Sequence, residues 1–88
     1  MKDDIIISHI PSLFQLIGFA GVAVLVVAYL ALQAGKIKGD DWRYPASNLA
    51  GALLILFSLY ETPNIPSIAI ELIWVSISGY GLWRALRK

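Results

Sequence analysis

Residues 5–35 read IIISHIPSLFQLIGFAGVAVLVVAYLALQAG, with no Asp, Glu, Lys or Arg between Ile5 and Gly35. About 20 apolar residues in a helix suffice to cross the roughly 30 Å hydrocarbon core of a bilayer, so this stretch decides the class of the chain. Its apolar core is too long for the central segment of a secretory signal, and Lys2 is followed by Asp3 and Asp4 rather than by further positive charge. The pattern predicts a retained span over residues 12–34. Pro11 precedes it, where a missing N–H costs nothing. Gly35 closes it ahead of the polar run Lys36, Lys38, Gly39, Asp40 and Asp41.

Two further spans follow. Residues 45–60 are apolar and flanked by Trp42 and Tyr44 on one side and Tyr60 on the other, aromatic residues of the kind that settle at membrane–water interfaces. This span is short, about 24 Å at 1.5 Å per residue. Residues 61–66, ETPNIP, carry two prolines and read as a turn. A third span is predicted over residues 67–86, ahead of Arg87 and Lys88. The expected fold class is an all-α membrane protein, one three-helix bundle over residues 1–88 with no internal repeat or second domain.

Composition agrees with lipid as the solvent. The 88 residues are 58% apolar and 15% charged, against about 25% charged in an average soluble domain. A soluble chain this small has too much surface for its volume to hide so many apolar groups. A net charge of +1 gives no electrostatic case for a nucleic-acid partner. Without cysteine there are no disulfides, thiolate nucleophiles or thiolate metal sites. The single histidine and six carboxylates show no metal-ligand spacing, and no nucleophile–base pair or phosphate-cradling loop is present. Neither a metal, a cofactor nor an enzymatic activity is expected.

The positive residues give a direction. Lys36, Lys38 and Arg43 share a side with Arg84, Arg87 and Lys88, leaving Lys2 opposite. The positive-inside rule puts the first loop and C-terminus in the cytoplasm and the N-terminus outside.

Against this apolar background a few residues stand out as solute contacts. Glu71 lies four residues into the third predicted span. It reads either as a substrate or proton contact near the outer mouth, or as a first-turn carboxylate reaching the headgroups. Asn48 sits one turn into the second span and either binds a polar substrate or bonds helices together. Gln15, at the outer end of the first span, either meets Glu71 in one polar layer or is solvated. Trp74 is three residues from Glu71; it offers an aromatic plate for a sugar-like or cationic ligand, or is an ordinary packed tryptophan. Trp42 and Trp83 fit an interfacial belt, as does His9. Gly18 and Gly21, Ser47 and Gly51 with Ser58 beyond, and Ser76 and Gly79 mark small-residue seams where helices can approach.

The stretch Phe14-Gln15-Leu16-Ile17-Gly18-Phe19-Ala20-Gly21, then Asn48-Leu49-Ala50-Gly51-Ala52-Leu53-Leu54, then Asn64-Ile65-Pro66-Ser67 with Glu71, Trp74, Tyr80 and Gly81, resembles an uncharacterised bacterial family of small three-span, permease-like membrane proteins. More distantly, the unit is similar to SemiSWEET and other PQ-loop half-transporters. That resemblance implies a bacterial inner-membrane location and pairing as a parallel homodimer around a small polar solute. No Pro-Gln pair occurs in the chain, so the proline hinge of that superfamily is not carried over.

Independently, three helices cannot easily surround a solute path, whereas six can, and parallel repeats about an axis along the membrane normal are a known transporter plan. The expected function is a homodimeric half-transporter for a small polar solute. The alternative is a non-transporting structural or accessory subunit whose seams bind a larger membrane partner.

Overall fold

The computed structural model describes residues 12–87; the expectations for Lys2, His9, Pro11 and Lys88 lie outside the described residues. Three helices follow in order: α1 (Leu13–Gln33), α2 (Arg43–Ser58) and α3 (Ile65–Arg87). Of these, α1 and α3 are long and apolar enough to cross a membrane. The shorter α2 rises about 24 Å.

Each helix end has a local cause. Ser12 caps α1 in a reciprocal box: its hydroxyl accepts the Gln15 N–H at 3.1 Å, and the Gln15 amide oxygen accepts the Ser12 N–H at 3.0 Å. At the other end Gly35 takes a left-handed φ of 75°, which costs a residue without Cβ nothing. There the Lys36 N–H reaches the Ala31 carbonyl at 2.9 Å and the Gly35 N–H reaches that of Leu32 at 3.1 Å, the double closure of a Schellman turn.

Both later helices start two residues earlier than the sequence pattern predicts. The Asp41 carboxylate accepts the Arg43 N–H at 2.9 Å, and Pro45 then falls in the first turn, where no N–H is needed. The Asn64 side-chain oxygen accepts the Ser67 N–H at 2.9 Å. Pro66 is thereby taken into the start of α3 instead of the turn before it.

The all-helical fold expected from the sequence is present, with α2 packed against both α1 and α3, which do not pack on each other. The seam between α1 and α2 is a stripe at alternating four- and three-residue steps, Phe14, Gly18, Gly21, Leu25 and Ala28. Phe14 stacks on Phe57 with ring centroids 5.3 Å apart and on Tyr60 at 5.9 Å. Below it, Gly18 faces Ser58, and Gly21 and Leu25 lie against Gly51.

All buried residues in the described part are small or polar: Gly21, Ala28, Pro45, Asn48, Gly51, Ala52 and Ser78. The large apolar side chains lie outward instead, Phe19 64% exposed and Ile77 62%. Continuous apolar exposure on this scale suits a lipid environment or a partner surface, and α1 and α3 are long and apolar enough for the former. Stability within the unit therefore comes from close helix approach at small residues, not from a core of large ones.

Candidate functional site

The seam between α2 and α3 holds the most polar part of the interior. Glu71, Trp74, Ser78 and Gly81 recur at three- and four-residue steps along one side of α3. Pro45 and Asn48 meet them from α2. The backbone at Gly81 comes so close to Pro45 that an added Cβ would sit 3.4 Å from the proline ring. Beyond that contact the helices part around a hollow of about 290 Å³ lined by Tyr44, Asn48, Trp74 and Ser78, among others.

Asn48 is 8% exposed and Ser78 6%. Among the described residues no hydrogen bond occupies either side chain, yet neither is sealed off, so both open on the hollow. Three other serines of the helices behave differently. Ser47, Ser58 and Ser76 return their hydroxyl protons to their own helices, at the carbonyls of Arg43 (2.7 Å), Ile55 (2.6 Å) and Leu72 (2.9 Å). Free amide and hydroxyl groups beside an exposed indole face can orient a small polar molecule. A larger hollow between α1 and α2, about 400 Å³, is walled by Ala23, Val27, Ala28 and Ile37. Ser47 is its one polar wall, and its hydroxyl is already engaged.

Glu71 lies one turn along α3 from Trp74, away from the hollow. Its Oε1 is buried and, among the described residues, has no hydrogen-bond partner. Gln15 is not brought to it: α1 and α3 do not pack together, and the Gln15 amide oxygen is used in the cap. The Ser12 hydroxyl donates instead to Glu61 Oε1 at 2.7 Å, tying the start of α1 to the turn after α2.

The small residues divide in the same way. Gly18, Gly21 and Gly51 lie in the α1–α2 seam, with Ser58 opposite Gly18. Ser76 is exposed and an added Cβ on Gly79 would meet nothing within 4 Å, so this side of α3 has no partner among the described residues. Ser78 and Gly81, which line the hollow, are the residues that sequence reasoning missed. Their signal was the continuation of the Glu71–Trp74 spacing over the next two turns, at positions 78 and 81.

The end carrying the first loop is rich in cation and aromatic pairs. Arg87 lies over the Trp83 ring at 4.6 Å and Arg84 over Tyr80 at 6.0 Å. Arg43 grips Asp41 through Nε at 3.1 Å and Nη2 at 2.9 Å. These bonds and the Arg43 backbone N–H bring the Asp41 carboxyl down to about 2.

Residues 14–88 match an uncharacterised protein family, and the chain belongs to it. No curated protein and no solved structure matches the chain.

Proposed function

We propose that the chain is a three-span half-transporter that pairs in parallel in a bacterial inner membrane and passes a small polar solute. The observation that carries this reading is the α2–α3 hollow, where the unbonded Asn48 amide and Ser78 hydroxyl stand beside Trp74. Polar groups without partners are costly in lipid, and a polar solute or water column would satisfy them. The hollow is open on one side, so a second copy supplies the missing wall. The unoccupied Ser76–Gly79 side of α3 suits close approach of that copy.

In this reading α2 is the third crossing, lengthened by Trp42, Tyr44 and Tyr60 at its ends. The cationic end formed by the first loop and the last turn of α3 faces the cytoplasm, and both copies insert the same way. Alternating access follows from rocking one unit against the other. The likeness to SemiSWEETs has no support among solved structures, and the proposal stands on the hollow itself.

The test is uptake of a panel of labelled sugars, polyols and amino acids into proteoliposomes. Saturable uptake of at least one, weakened in Asn48→Ala, supports transport. Failure of every solute, with stable capture of one larger membrane protein after gentle extraction, favours the accessory-subunit reading. The exposed apolar faces of α1 and α3 would then be that partner's seat.

A further inference from the structure

Glu71 is the one ionisable residue in α3 ahead of Tyr80, and α1 carries none but Tyr29. Its surroundings narrow what it can hold. Of the described helices, α2 alone packs against α3, and between Tyr44 and Tyr60 α2 presents no titratable side chain. On α3 itself the nearest charged groups are Arg84 and Arg87, more than three turns away. Among the described residues the Glu71 side chain therefore faces no cation, and its Oε1 lies buried without a donor.

A sodium or divalent ion stripped of water needs several oxygen ligands. Among the described residues no group of three His, Cys, Asp or Glu side chains could hold one. The hydroxyls of Ser58 and Ser76 are committed to helix carbonyls, and Ser67, one turn back on α3, adds a single oxygen, too few for such an ion. A proton is different, because it needs one oxygen and no cage. Buried carboxylates in membrane spans commonly serve as its carriers.

We propose that Glu71 is a proton-exchange site, taking up and releasing one proton within the lipid-embedded part of α3, and that solute movement through the neighbouring hollow is linked to that proton. The step is a plain acid–base exchange: a proton from water on one side adds to the carboxylate, and the same O–H bond later breaks to release it on the other. Trp74, one turn along and lining the hollow, is the physical link, since a change of charge at Glu71 alters what its neighbour packs against. This inference rests on the transport reading for its second half only.

The experiment reads the proton without needing a solute. The full chain in lipid vesicles is treated with dicyclohexylcarbodiimide, an apolar reagent that reacts with carboxylic acids in their protonated form. Intact mass and peptide mapping then locate the adduct. The expected result is one adduct at Glu71, falling away as pH rises and absent in Glu71→Gln. Glu61, at the water-exposed turn, should stay unlabelled by this reagent and react instead with a water-soluble carbodiimide. Absence of an adduct at Glu71 at every pH, or an adduct there that ignores pH, overturns the proposal. Labelling of Glu71 with no uptake of any solute in the panel supports proton exchange while removing transport, so the two failures are distinct. Circular dichroism of Glu71→Gln in the same vesicles checks that the variant keeps its helices.

Discussion

Gly21 and Gly51 stand backbone to backbone: a Cβ on Gly21 would fall 2.6 Å from the Gly51 carbonyl oxygen, and one on Gly51 would fall 2.9 Å from that of Gly21. Neither oxygen can swing aside as a flexible side chain would. The α1–α2 seam is thus set by two absent methyl groups.

Gly21→Ala and Gly51→Ala should each destabilise the fold by about 1–3 kcal/mol, the usual range for overpacking. Gly79→Ala is the control, because its new methyl meets nothing among the described residues, and its effect on a monomeric unit should stay within about 0.5 kcal/mol. Reversible unfolding in mixed detergent micelles measures all three.

Ser12→Ala removes both the cap on the Gln15 N–H and the bond to Glu61, and should cost about 1 kcal/mol. Gln15→Glu preserves the capping box, since glutamate accepts the same backbone N–H. With its amide oxygen used in the cap, Gln15 is no solute ligand on this account, and Gln15→Glu should leave uptake unchanged. A strong loss of uptake with intact stability would return Gln15 to the solute path.

The Asp41–Arg43 pair makes a pH prediction outside the membrane. The Asp41 carboxyl titrates at about 2 in the folded chain, below the roughly 3.9 of a free aspartate. Its contribution to the start of α2 is therefore complete above about 4 and is lost as pH falls through about 2. The Arg43 amide and Nε–H resonances, followed by NMR in micelles, should shift in that lower window in the wild type. In Asp41→Asn that low-pH shift should disappear.

Asn48→Ala and Ser78→Ala each remove a group that opens on the hollow. If each supplies one hydrogen bond to the solute, worth about 1–1.5 kcal/mol, uptake at low solute concentration should fall by about tenfold. Ser76→Ala, whose hydroxyl is spent on the Leu72 carbonyl, should transport normally. Equal losses in Ser78→Ala and Ser76→Ala would point to general damage rather than a site.

Local rules carried much of the structure. Gly35 announced the end of α1 because a left-handed turn after an apolar helix has few other solutions. The early start of α3 was hidden because Pro66 reads as a breaker, while a first turn tolerates it once Asn64 supplies the cap. That of α2 was hidden because the apolar run begins only at Pro45, whereas the Asp41 cap already starts the helix at Arg43. Hydropathy marks Glu71, Asn48 and Trp74 as unusual residues in apolar helices. It cannot say which helices touch, so the meeting of Asn48 with Trp74, and the separation of Gln15 from Glu71, became visible only with α2 in the middle. Ser78 was passed over for Ser76, two residues away and on another side of the helix.

The most direct test of the paired half-transporter is cysteine crosslinking in native membranes at Ala69 and Trp83, two exposed positions seven residues either side of Ser76 on one side of α3. They lie about 21 Å apart along the helix. A parallel pair predicts Ala69→Cys joining Ala69→Cys, and Trp83→Cys joining Trp83→Cys, with no mixed product when the two variants are coexpressed. Mixed 69–83 products alone would mean an antiparallel pair, and no homodimeric product at either position would contradict the account.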